Sequence, residues 1–163
     1  MDGERVVGVI PIARTKTGMF STKTYTLVFT THRLILAEMT KQAVSAQVEH
    51  ARSEAKDAGK GTMGQWGAQL KSSIAFGAHY LAFDPEAVLA ETPGNAAIPA
   101  AEIRKLTVDR RSRSAGAGDD AMDVPCLRVS LETGSGKRSF DTDNEHPPLD
   151  EARALVAGLL GGR

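Results

Sequence analysis

The chain has almost no means of covalent bracing: Cys126 is the only cysteine in 163 residues. An internal disulfide is excluded, and the usage fits a reducing cytoplasm. Charge of one sign is also lacking, since 20 Lys and Arg balance 20 Asp and Glu. No global basic field therefore points to nucleic acid or to an acidic membrane. Long apolar runs are missing as well. No stretch approaches the ~20 apolar residues that a membrane span requires. Val6–Ile12 is interrupted by Gly8 and Pro11 and lacks the basic flank and small-residue cleavage site of a signal peptide. These absences favour a soluble cytoplasmic domain without a transmembrane segment. Its hydrophobic content of 41% and charged content of 25% are ordinary, and its length affords one core and one domain, 1–163.

What is present is strand-like at both ends. Arg5 to Ala13 reads as a first strand, Arg14–Lys23 as a polar loop with Met19 and Phe20 at its middle, and Tyr25–Met39 as a hairpin. In that hairpin, Tyr25–Phe29 and Leu34–Leu36 flank Thr30-Thr31-His32-Arg33, although no Gly or Asn fixes the turn type. The period then changes. Lys41–Ala58 contains no Gly or Pro and places Val44, Val48, Ala51, Ala55 and Ala58 on one narrow helical face. After Gly59-Lys60-Gly61, Thr62 caps a second helix whose stripe is Met63, Trp66, Leu70, Ile74, Gly77 and Leu81. The pair reads as an antiparallel helical hairpin. A short helix restarts at Asp84-Pro85-Glu86 and runs through Glu91.

Turn chemistry returns at Thr92-Pro93-Gly94-Asn95. Ala96–Ile98 and Glu102–Asp109 read as strands, Ser112–Asp123 as a mobile loop, and Cys126–Glu132 and Lys137–Asp141 as strands about a Thr133-Gly134-Ser135-Gly136 turn. From Pro147-Pro148 a terminal helix presents Leu149, Ala152, Leu155, Val156, Leu159 and Leu160 on one face and ends at Gly161-Gly162.

The hairpin carries a resemblance. Leu27, Thr30, Arg33, Leu34 and Ile35 match a Leu-x-x-Thr-x-x-Arg-Leu-Ile pattern, and the stretch resembles the second and third strands of bacterial PH-like and GRAM-like domains. The resemblance implies an α+β, mainly β fold: a half-open barrel of about seven strands closed at one end by the C-terminal helix. Residues 40–93 depart from such domains and read as a helical insertion within this one. In a PH-like topology the insertion leaves near the first loop and covers or extends the surface such domains use for ligands.

Candidate sites are few. Ala58-Gly59-Lys60-Gly61-Thr62 looks like a fragment of a phosphate-binding loop, but a helix precedes it where a strand is needed, and Glu54 and Ala55 replace the leading Gly, so nucleotide hydrolysis is rejected. His32, His50, His79 and His146 make no metal-type spacing with one another or with Cys126. Cys126 reads as a small buried residue. Trp66 reads as core. Arg110, Arg111 and Arg113 are expected to be compensated across a hairpin by Asp119, Asp120 and Asp123.

The loop between the first two strands is left. The resemblance implies a Lys-x(n)-Lys/Arg-x-Arg arrangement there; Lys16 and Lys23 match its first two positions, and Tyr25 replaces the final Arg. Arg14, Lys16 and Lys23 around a Met19-Phe20 tip suit an anionic lipid interface. Alternatively, Met19 and Phe20 pack under the insertion and the cations are simply solvated. No acid/base, nucleophile, metal or cofactor set converges in sequence. The reading is a non-enzymatic interaction module for a protein partner or an anionic lipid surface, cytoplasmic and peripheral to the membrane. The alternative is a structural module that forms a homodimer through the stripe from Met63 to Leu81, which otherwise must pack on the barrel mouth.

Overall fold

The computed structural model describes residues 3–40 and 79–161. Among them are β1 (Val6–Lys16), β2 (Thr22–Thr30), β3 (Arg33–Glu38), α1 (Pro85–Glu91), β4 (Ala96–Pro99), β5 (Ile103–Ala115), β6 (Met122–Thr133), β7 (Gly136–Thr142) and α2 (Leu149–Gly161). The seven strands form one antiparallel sheet in the order β4-β3-β2-β1-β7-β6-β5. The architecture is α+β and mainly β. Two meanders, β1–β4 and β5–β7, are joined in the sheet by the pairing of β1 with β7, and the sheet is open because β4 and β5 stand at its two ends.

The β2–β3 hairpin forms as the sequence predicts, with Phe29↔Leu34 as its innermost pair. Thr30 supplies what Gly or Asn supplies elsewhere. Its hydroxyl oxygen accepts from the His32 N–H at 3.1 Å and the Arg33 N–H at 2.9 Å, which fastens the turn. Both faces of this hairpin are covered, which is why its sequence is nearly continuously apolar. Tyr25, Leu27, Phe29, Leu34 and Leu36 join the main core with Ile10, Leu127, Val129 and Phe140. Val28, Ile35 and Ala37 face the other way and pack with Tyr80 and Val88.

Helix α2 closes the main core with Ala152, Val156 and Leu159, all buried. Leu155 packs against the same cluster half-buried and lies over Gly8, where an added Cβ would stand 2.3 Å from its Cδ2. Gly8 therefore lets the helix approach β1. On the opposite face, Asp84 caps α1 by accepting from the Glu86 N–H at 2.9 Å, and Pro85 occupies the first turn. Asn95 ties α1 to β3: its amide donates to the Val88 carbonyl at 2.6 Å, and its oxygen accepts from the Glu38 N–H at 2.8 Å.

Strand β1 carries the fold's irregularity. Between Ile10↔Leu27 and Ala13↔Tyr25 its register shifts, so Pro11 and Ile12 oppose Thr26 alone. Ile12 has φ 58°, a left-handed conformation rare for a β-branched residue. Such a bulge bends its strand, and the residues directly after it, Ala13 and Arg14, are the ones that reach β7.

Several expected boundaries change. Residues 14–16 and 22–23 are strand rather than loop, because Thr15↔Lys23 and Lys16↔Thr22 continue the ladder and Thr15 is buried. The loop expected over Ser112–Asp123 shrinks to 116–121, since Arg113↔Val124, Ser114↔Asp123 and Ala115↔Met122 extend the ladder through residues whose mixed, Gly-flanked sequence reads locally as loop. Cys126 is consequently buried in the middle of β6 rather than at a strand start. Leu81, assigned to the buried stripe, is exposed. Residues His79–Ala82 form a 3-10 turn that buries Tyr80 instead. The remainder of the expected helical hairpin, residues 41–78, lies outside the described residues. Next in the chain, Tyr80 and α1 pack on the outer face of β2–β3.

This packing has two measurable outcomes. Leu159→Ala should lower unfolding stability by about 2–5 kcal/mol in urea titration, and Leu155→Ala by less, because Leu155 is only half-buried. Burial, reinforced by the hydrogen bond from the Tyr80 hydroxyl to Glu91 at 2.8 Å, raises the phenol far above its ordinary value. The folded state therefore holds that proton more tightly than the unfolded chain. The stability gained is complete below the unfolded phenol pKa of about 10 and is lost as pH rises beyond it. Urea midpoints measured from about pH 8 to about pH 11 should fall at the alkaline end, and Tyr80→Phe should remove the Tyr80 part of that fall.

Candidate functional site

The sequence-predicted cations and apolar tip fall on one hairpin, but not as one cluster. β1 and β2 extend to Lys16 and from Thr22, and the loop between them closes with the Thr17 N–H donating to the Ser21 carbonyl at 3.0 Å. At its end Met19 is 90% and Phe20 96% exposed, so neither packs beneath another described residue, and the part of the insertion at 41–78 lies outside the described residues. Lys23 leaves the group. Its ammonium is 3.8 Å from the Glu38 carboxylate. That carboxylate fits against Gly94, where an added Cβ would stand 1.7 Å from its Oε2.

Arg14 and Lys16 instead border a cleft that sequence reasoning did not anticipate. β1 and β7 pair only at Ala13↔Thr142 and Arg14↔Asp141. Beyond Arg14 the strands diverge, and a cavity of about 520 Å³ opens between Arg14, Thr15, Lys16 and Thr22 on one side and Arg128, Lys137, Arg138, Ser139 and Asp141 on the other. Pairing explains the row of charges along it. Arg14 and Arg128 both stand beside Asp141 across neighbouring strands. Arg128 takes Asp141 with two hydrogen bonds, at 2.8 and 3.1 Å. Arg14 turns to Asp143, with contacts of 2.6 and 3.1 Å. The hydrogen bond to Asp141, with its charge, raises the Arg128 pKa further, so the pair stays ionised.

Lys137 stands 3.8 Å from Glu132. Among the described residues, Lys16 and Arg138 have no carboxylate partner. Arg138 is held another way. Its guanidinium lies 5.7 Å from the Tyr25 ring centre and 5.3 Å from that of Phe140, two rings packed edge to face. Contact with the two rings restrains the guanidinium, and no carboxylate among the described residues engages its N–H groups.

Lys137 and Arg138 also border a second cavity, of about 330 Å³, between β4 and the β6–β7 turn. Leu36, Ile98 and Leu131 form its apolar side, and Glu102, Thr133 and Ser135 share its rim with the two cations. No local motif distinguishes Arg128 or Arg138 in the sequence. Their site exists because strands distant in the chain separate, which no local pattern records.

The other basic cluster finds its partners elsewhere than expected, and among the described residues only Arg110 of its three arginines has a carboxylate. Arg110 pairs with Glu145, its Nε donating at 2.7 Å, and Arg113 Nε donates to the Asp143 carbonyl at 2.8 Å. The partners come from the segment after β7, not from Asp119, Asp120 or Asp123. Burial chiefly raises the Cys126 thiol pKa, with Asp141 adding to the effect, so it stays protonated and unreactive.

Asp141 limits how cationic the cleft is. Asp141→Asn should change unfolding free energy by less than about 1 kcal/mol, because the Arg128–Asp141 pair is partly exposed. The same substitution should delay elution from a heparin column, with the shift shrinking as salt rises.

No protein-family model, curated protein or solved structure matches this chain.

Proposed function

We propose that the protein is a non-enzymatic interaction module of PH-like fold, a half-open barrel that docks on an anionic lipid surface through the β1–β2 hairpin. The meander order of seven antiparallel strands followed by a C-terminal helix supports the fold part of this reading. The β2–β3 pattern of Leu27, Thr30, Arg33, Leu34 and Ile35 adds to it.

One observation carries the functional part: Met19 and Phe20 are almost fully exposed at the end of a stem that bears Arg14 and Lys16. Two large apolar side chains at a hairpin tip cost solubility unless something takes them up. Cations behind such a tip are attracted to acidic headgroups, while the ring and thioether enter the acyl boundary. The site is thereby cytoplasmic-facing and peripheral. No helix among the described residues is long and apolar enough to cross a membrane. A protein partner with an acidic rim and an apolar pocket is the other ligand this tip accommodates. The homodimer reading depends on residues 41–78, outside the described residues.

Co-sedimentation with vesicles separates these readings. Wild-type protein should bind phosphatidylserine-containing vesicles at low salt and release as salt rises, and should ignore phosphatidylcholine vesicles. Lys16→Glu and Phe20→Ser should each weaken binding several-fold, at about 1 kcal/mol per basic residue near the surface. Lys23→Glu should weaken it less, because Glu38 already engages that ammonium. Wild-type protein that ignores anionic vesicles at low salt sinks the lipid reading.

A further inference from the structure

We propose that the cavity between β4 and the β6–β7 turn binds a small amphipathic anion: a single short apolar chain ending in a carboxylate that Arg138 receives. The inference concerns a different place from the hairpin tip and does not depend on membrane docking. The cavity reaches the main core. Leu36 and Leu131, only 1% and 2% exposed, are members of that core and also line the cavity, and Ile98 packs beside them. Its volume, about 330 Å³, is at the lower end of small-molecule sites. An apolar chain placed there would replace water chiefly against Ile98, with Leu36 and Leu131 forming the nearly dry floor behind it.

The polar end is specified by the rim. The Arg138 guanidinium lies within 5.7 Å of the Tyr25 ring centre and 5.3 Å of that of Phe140, and lacks a carboxylate among the described residues. Arg14, Arg33, Arg110, Arg128 and Arg153 each have one, and of the described arginines without one only Arg138 lines this cavity. A planar, pre-oriented guanidinium with a free edge matches a carboxylate by paired N–H donation. Lys137 adds a second positive charge, and Glu102 is the one carboxylate on the rim. Lys137 is shared with Glu132 at 3.8 Å, so the preference for an anionic head rests on Arg138, which no carboxylate among the described residues engages.

Octanoate, octanol and acetate, each titrated below any aggregation threshold and followed by amide NMR shifts, test this proposal. Octanoate should bind at least about tenfold more tightly than octanol, the ratio expected of one charge-assisted contact, and acetate should bind weakest. Shifts should centre on Leu36, Ile98, Leu131 and Arg138. Arg138→Gln should bring octanoate down to the octanol level, and Arg138→Lys should recover part of the difference. Ala96→Trp, at an exposed position on the cavity wall, should abolish binding of octanoate and octanol while the melting midpoint is unchanged. Equal affinity for octanoate and octanol, absence of binding by either, or retention of octanoate by a folded Ala96→Trp protein would each overturn the proposal. Phe20→Ser should leave octanoate binding intact, so failure of membrane docking and failure of this site are read separately. If vesicles alone perturb the cavity residues and free octanoate does not, the ligand is a bilayer lipid and the proposal of a small diffusible carboxylate fails.

Discussion

Two residue pairs, Ala13↔Thr142 and Arg14↔Asp141, hold the two meanders of this protein in one sheet. Everything else in the described structure is organised around that short junction. Thr142 is buried there, and its hydroxyl oxygen accepts from the Leu127 N–H at 2.9 Å, so β6 is fastened to the same point. The bulge at Pro11-Ile12 sits immediately before the junction and bends β1 from its run beside β2 toward β7. A left-handed Ile12 stores strain of about 1–3 kcal/mol. That cost is tolerated because Ile10 and Ala13 on either side are both buried in the main core. The brevity of the junction also makes the cleft. Had the pairing continued, Thr15 and Lys16 would have spent their backbone groups on β7, and no space would separate Lys16 from Arg138.

The two meanders solve burial differently, and the difference shows in their composition. β2 and β3 are covered on one face by α2 and the main core and on the other by Tyr80 and Val88. Strands buried on both sides have no reason to alternate. β6 and β7 keep one wet face and alternate accordingly, with Arg128, Ser130 and Glu132 between Leu127, Val129 and Leu131. Charges on that wet face are then free to serve pairing or ligands, which is why Arg128 and Asp141 occur there.

Local signals made much of the fold legible. The β2–β3 hairpin, the capped α1, the Gly-rich β6–β7 turn and the apolar face of α2 each depend on neighbours in sequence. What could not be read depended on strands far apart in the chain. Residues 112–115 and 122–124 are strand because they pair with each other, although Ser, Arg and Asp give no periodic apolar signal. Arg14 and Lys16 were recognisable as candidate cations, but not their separation from Lys23, which results from Glu38 lying across the ladder from Tyr25. Arg128 and Arg138 were invisible as site residues because the cleft they line is made by the divergence of β1 from β7. Tyr80 displaced Leu81 for a similar reason: a 3-10 turn, not a continued helical period, sets which side chain faces β3.

A chain of zero formal charge can still focus a positive field if its acids are committed locally. Here Glu4 and Glu86 share Arg33, Glu145 holds Arg110, Asp143 holds Arg14 and Asp141 holds Arg128. For Arg33, desolvation alone would lower the pKa, but hydrogen bonds to Glu86 and Glu4 more than offset it and the net shift is upward. Each such pair is electrically quiet at a distance. Lys16 and Arg138 are left without acids among the described residues, beside the cavities between β1, β7 and β4. At the second cavity the aliphatic side chains of Leu36, Ile98 and Leu131 lower the dielectric around Arg138 and strengthen its charge. Which cations the carboxylates leave unmatched is thus a property of strand register that neither net charge nor any linear motif records.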